Sequence, residues 1–83
     1  MAMEITGYCD VGVTASGKWT RPGLAGCGYA WPFGTRFLLW DGRLVECADR
    51  GALGHDRNVD VWMASCDAAI LFGRRQMLVW VVK

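Results

Sequence analysis

The chain has 83 residues, 53% of them hydrophobic, and a formal charge of +1. That length bounds a single domain, residues 1–83, and that hydrophobic share excludes a disordered chain. The basic residues are scattered, which gives no electrostatic case for nucleic acid or an anionic membrane surface.

In chain order, "MAMEIT" has neither a charged n-region nor an apolar h-region, so no secretory leader is read there. "EITGYC" opens with a β-leaning run. "VTASGKWTRPGLAGCG", residues 13–28, is rich in Gly, Ser, Thr and Pro and reads as a long loop. "TRFLLWDGRLVECAD" places two β-rich runs around Asp41-Gly42, the pair that a type I′ hairpin turn prefers. "RGALGHDR", residues 50–57, is a second loop, and "NVDVWM" a short strand. "SCDAAILFG" reads as a helix of about two turns near residues 65–72. Ser65 is its N-cap, Asp67 suits the positive end of the macrodipole, and Gly73 closes it. "QMLVWVV" is a continuous apolar strand, expected to be buried on both faces. No apolar run approaches the ~20 residues of a membrane-spanning helix. The tally is about six strands and one short helix, an all-β fold with a small α component. A closed barrel is the economical way for so short a chain to cover its strand edges.

Four cysteines, Cys9, Cys27, Cys47 and Cys66, contain no C-x-x-C pair, and His55 is the single histidine. No metal site and no cofactor is expected from them. Two disulfides in an extracellular protein is the commoner reading, with three connectivities open.

Asp49 and Asp60 stand in apolar surroundings. Asp49 ends a strand at a glycine-containing loop. Asp60 lies between Val59 and Val61, so alternation puts it on the opposite face from both. Two roles are open to the pair. They organise turns by accepting backbone N–H bonds, or they form a carboxylate pair for acid–base work on a sugar bond. Thr14 and Ser16 in "TASG" either line a sugar groove or shape their loop. Tyr8, Trp19 and Trp31 offer flat faces for sugar rings, whereas Trp40, Trp62 and Trp80 are placed in the core by their strand positions. Ser65 is a helix cap rather than a nucleophile, and His55 is expected to be exposed.

The order of these motifs resembles a known family. "GYC…TASG" is followed by "PFGT" at Pro32–Thr35, "ADRG" at Ala48–Gly51, and "VD" at Val59–Asp60 before a helix ending in Gly73. From about Ile5 to Val82 this is similar to the Asp-Asp-Asp domain family. These are small double-psi β-barrels related to the catalytic barrel of membrane-bound lytic transglycosylase A, and they share features with rare lipoprotein A. The resemblance implies a six-stranded double-psi barrel acting on peptidoglycan glycan strands, in an extracellular or cell-envelope setting, as a bacterial domain or one carried by a phage. It implies cleavage between N-acetylmuramic acid and N-acetylglucosamine, leaving a 1,6-anhydro sugar. Asp49 and Asp60 match the second and third family aspartates. Asp49 is the candidate acid and base, with Asp60 as its neighbour, and Tyr8, Thr14, Ser16 and Trp31 are candidate substrate contacts. Arg50 opposes a protonated Asp49 unless it points to solvent. The first family aspartate, five residues before Pro32, is Cys27 here. A cysteine supplies no carboxylate, and it does not titrate inside a disulfide. The resemblance therefore also fits a non-catalytic glycan-binding or wall-loosening module, or a disulfide-stapled structural module of an envelope or virion.

Overall fold

A computed structural model describes residues 1–51 and 55–82. Residues 52–54 of the expected 50–57 loop, and Lys83, lie outside the described residues. The elements are β1 (Ala2–Tyr8), β2 (Leu24–Cys27), β3 (Arg36–Leu39), β4 (Leu44–Arg50), β5 (Asn58–Trp62), α1 (Cys66–Phe72) and β6 (Arg74–Val82). The strands close into a six-stranded barrel in the order β1-β5-β2-β4-β3-β6, with β6 returning to β1. Two pairs, β1 with β5 and β2 with β4, are parallel, and the other four are antiparallel. The all-β barrel with one short helix is the expected fold class. Among the described residues no helix is long and apolar enough to cross a membrane.

Period-two alternation builds the core. Met3 and Ile5 of β1, Ala25 and Cys27 of β2, Phe37 and Leu39 of β3, Val45 and Cys47 of β4, Val59 and Val61 of β5, and Val79 of β6 all point inward. Phe72 of α1 joins them. Each of the larger side chains contributes roughly 1.5–3 kcal/mol of burial.

The helix follows its local signals. Ser65 Oγ accepts the Ala68 N–H at 3.2 Å, Asp67 lies in the first turn, and the Gly73 N–H donates to Ala69 O at 3.1 Å. Seven residues are too few for a helix to persist alone. The Cys9–Cys66 disulfide and the burial of Ala69 and Phe72 hold it against β1.

Four expectations need correction. The Gly- and Pro-rich stretch 13–28 is not all loop, because Leu24–Cys27 forms β2, fully buried between β4 and β5. Small residues let this strand sit inside the sheet, and tertiary burial outweighs their weak β preference. The Asp41-Gly42 turn is real but not type I′, which needs positive φ at both central residues. Only Gly42 is positive, at 94°, and Gly42 N–H donates to Leu39 O at 2.9 Å while Leu39 N–H donates to Arg43 O at 2.8 Å. That is a three-residue loop with glycine in its left-handed position. β6 is not buried on both faces. Val79 is covered, whereas Leu78 and Trp80 are exposed on the barrel exterior. A single closed sheet has only one interior, so the second face of an apolar strand meets water. Trp40 and Trp80 are accordingly surface residues, stacked on each other with ring centres 6.1 Å apart. Trp62 is half-buried, and its Nε1–H donates to Asp10 O at 2.8 Å.

Both disulfides are formed, Cys9–Cys66 and Cys27–Cys47, and no free cysteine remains among the described residues. This is compatible with an oxidising, extracellular setting.

Candidate functional site

The site begins with a register shift. Along β2 and β4, Ala25 pairs with Cys47 but Gly26 pairs with Asp49, so Ala48 is an extra residue on β4. Without this β-bulge, alternation from Val45 and Cys47 would send Asp49 into the apolar core. The bulge turns it to the outer face instead, the re-aiming that bulges perform. The Ala48 carbonyl, freed from the ladder, accepts the Ser16 N–H at 3.0 Å.

The same shift brings the two aspartates into one row. Gly26 pairs with Asp49 on one side and Asp60 on the other, and Asp60 pairs with Thr6 of β1. The row across four strands reads Asp49, Gly26, Asp60, Thr6. Two strand spacings separate the aspartate backbones, about 10 Å. The middle of the row carries no side chain. The Gly51 main chain lies over it, with Cα 3.1 Å from where a Gly26 β-carbon would stand.

Asp60 faces away from Val59 and Val61, as alternation requires, yet it is only 7% exposed. Its Oδ1 accepts the Thr6 hydroxyl at 2.8 Å. Asp49 is half-buried. Its Oδ1 accepts the N–H groups of Ala15 at 3.2 Å and Arg50 at 2.9 Å, and its Oδ2 takes no hydrogen bond among the described residues. Arg50 turns away, neither pairing with Asp49 nor pointing to solvent as a free cation. Its guanidinium donates to Gly28 O at 3.0 Å and Trp31 O at 2.8 Å, and it stacks 4.1 Å over the Phe33 ring.

Tyr8 joins the two carboxylates electrostatically. Burial, and then the negative charges of Asp49, Asp60 and Asp10, push its phenol up to about 12. The phenol oxygen is buried and has no hydrogen-bond partner among the described residues. Tyr8, Asp10, Thr20 and Asp49 line a polar cleft of about 230 Å³. Tyr8 and Asp10 also line a second cleft of about 540 Å³, whose wall is Cys9–Cys66, Ile70 and Arg74. The first cleft gathers negative charge with no cation among its described lining residues, which disfavours anions and suits a neutral or cationic ligand.

Thr14 and Ser16 stand at the edge of this arrangement. The Thr14 hydroxyl is buried, contacts Ser16 Oγ at 3.1 Å and accepts the Lys18 N–H at 3.2 Å, so it shapes the loop that docks on Asp49. An ion pair from Lys18 to Glu46 ties the same loop to β4. Trp31 lines neither cleft. It packs edge-on against Phe37 with ring centres 5.3 Å apart and donates from Nε1 to Asp56 O at 2.8 Å. Trp19 and His55 are exposed, and His55 lies 3.8 Å from Glu4. Cys27 is fully buried in its disulfide.

Asn58, Asp10, Thr6 and Thr20 of the site were not singled out from the sequence. Asn58 was open to the argument used for Asp60, since two residues earlier on a strand is the same face. Asp10 and Thr6 carry no local signal; only the barrel closure brings them in. No known family model matches the chain, and no curated protein matches it.

Proposed function

We propose that this domain acts on peptidoglycan glycan strands as a lytic transglycosylase, with Asp49 as general acid and then general base. The reading is carried by one observation. The bulge at Ala48 presents Asp49 to a polar cleft with one oxygen anchored by two backbone donors and the other without a hydrogen-bond partner among the described residues. The reaction needs one such group. Its proton goes to the glycosidic oxygen as the bond to C1 breaks, and the carboxylate left behind takes the C6 hydroxyl proton as O6 closes on C1. The product is the 1,6-anhydro ring, and water is neither added nor released. A neutral sugar suits a cleft lined by carboxylates. Family resemblance and two disulfides together support an extracellular or envelope site of action.

A second reading, a non-catalytic glycan-binding module, is favoured by Cys27. It occupies the first aspartate position of the resembling family and is locked in a buried disulfide. Purified cell wall incubated with the protein and examined by mass spectrometry separates the two. Anhydro-ended fragments are the expected product. Asp49→Asn should lower their formation by the 10²–10⁴ typical of acid–base catalysis, with little change in melting temperature. Sedimentation with the wall without any fragments would make the protein a binder.

A further inference from the structure

We propose that Trp19, with Val13 beside it, is a platform for one pyranose ring of a neutral glycan, contiguous with the cleft that Asp49 lines. The choice of a sugar as ligand rests on the glycan reading above; the geometry of the platform does not.

The loop that carries Trp19 is a two-stranded ribbon. Thr14 N–H donates to Lys18 O at 2.7 Å and Thr20 N–H donates to Gly12 O at 2.9 Å, and Val13 bridges to Trp19 between these bonds. The two bonds flank the pair and do not join it. Val13 and Trp19 are therefore a non-hydrogen-bonded antiparallel pair, the kind whose side chains approach most closely, on one face of the ribbon. Alternation sends their neighbours to the other face. Thr14 and Thr20 are buried, whereas Val13 and Trp19 are 67% and 61% exposed. Val13 also lines the Asp49 cleft, so the indole adjoins that cleft through Val13. Val11, two residues earlier, is likewise exposed and lines the same cleft.

The ribbon is fixed on the barrel. Ala15 N–H donates to Asp49 Oδ1 at 3.2 Å, Ser16 N–H donates to the Ala48 carbonyl at 3.0 Å, and Lys18 pairs with Glu46. Within the ribbon, Gly12 N–H donates to Thr20 Oγ1 and Lys18 N–H to Thr14 Oγ1, both at 3.2 Å. A ligand on the indole meets a surface that is already ordered, so little further entropy is lost on binding. The same contacts hold the platform in a fixed relation to Asp49.

Size and charge select the occupant. Trp19, Val13 and Val11 together expose roughly 350 Å². A stable protein interface takes about 800 Å² from each partner, so this surface is too small for a second copy or a folded domain. An indole flanked by a branched aliphatic side chain matches one sugar ring. The C–H face of such a ring packs on the aromatic while its hydroxyls stay in water. A nucleic-acid base also stacks on exposed aromatics, but its phosphates need nearby cations. The adjoining cleft offers carboxylates and no cation among its described lining residues.

NMR titration with the β-1,4-linked tetramer of N-acetylglucosamine tests the platform. This probe contains no N-acetylmuramic acid, so binding is read apart from the proposed cleavage. The Trp19 indole N–H signal should shift in wild type. Trp19→Ala should weaken binding about tenfold, and Trp19→Tyr should keep most of the affinity because it restores a flat ring. Trp40→Ala, at an exposed tryptophan that lines neither cleft, should leave binding unchanged. On wall glycan, Trp19→Ala should raise KM with kcat unchanged, since stacking is the same in the ground and transition states. Equal tetramer affinity in wild type and Trp19→Ala overturns the platform. So does an equal loss in Trp40→Ala, or a wild type that does not bind the tetramer at millimolar concentration. If the tetramer binds through Trp19 and the wall yields no anhydro ends, the platform stands and the transglycosylase reading falls.

Discussion

The two disulfides lie in opposite circumstances. Cys27–Cys47 joins neighbouring strands, β2 and β4, and both sulfurs are fully buried among core side chains. Cys9–Cys66 joins the end of β1 to the first residue of α1, lines the larger cleft, and is exposed at Cys66. Chain constraint alone ranks them by separation. It gives about 3 kcal/mol for the 20 residues between Cys27 and Cys47 and about 4 kcal/mol for the 57 between Cys9 and Cys66. Packing ranks them the other way. The buried bridge is part of the barrel wall, whereas the exposed one tethers a seven-residue helix whose Ile70 and Leu71 are 76% and 83% exposed. The difference teaches that a bridge's contribution depends on whether the structure it closes can survive without it.

Replacing each pair in turn decides between the rankings. Cys27→Ala with Cys47→Ala should cost about 4–5 kcal/mol in urea unfolding, the chain term plus lost core packing. Cys9→Ser with Cys66→Ser should cost only about 2 kcal/mol, because α1 can fray while the barrel stays closed. Amides of β2 and β4 should stay protected from hydrogen exchange in the second variant. The reverse order would mean that chain entropy dominates and that α1 is integral to the fold. Under mild reductant the exposed bridge should open first, seen by alkylation and mass spectrometry.

Beside the buried bridge, Gly28 gives the next effect. A β-carbon there would stand 2.2 Å from Asp56 Oδ1 and 2.6 Å from Asp56 Cα. The backbone of Asp56 would have to move, and with it the carboxylate that accepts the Ala30 N–H at 3.1 Å. Gly28→Ala should lose about 2–3 kcal/mol in the same unfolding experiment. An unchanged midpoint would show that this end of the barrel yields more easily than its burial suggests.

Beside the exposed bridge, Tyr8 is expected to matter mainly at high pH. Its phenol has an ordinary value of 10.0 and is pushed up to about 12 in the folded chain, first by burial and then by Asp49, Asp60 and Asp10. The unfolded chain therefore loses this proton before the folded one. The stability it contributes is complete below pH 10 and is lost as pH rises through 12. Tyr8→Phe should flatten that part of the profile. At neutral pH it should be neutral or stabilising by up to about 1 kcal/mol, since it removes a buried hydroxyl with no hydrogen-bond partner among the described residues. A loss at neutral pH would mean that the hydroxyl has a partner in solution.

Much of this molecule was legible from short-range pattern. The helix at Cys66–Phe72, its Ser65 cap, the turn at Asp41-Gly42 and the placement of Asp60 opposite its valines all depend on residues a few positions apart. Oxidation of the four cysteines followed from their count and from the absence of metal spacing. What tertiary structure decided has a different physical origin. Pairing register between distant strands made Ala48 a bulge, turned Asp49 out of the core and brought Gly26 between two aspartates. Barrel closure set Thr6 beside Asp60, chose the cysteine partners, and left one face of β6 in water. Alternation along a strand says which residues share a face. Which face is inside, and who stands opposite, is settled only when the sheet closes.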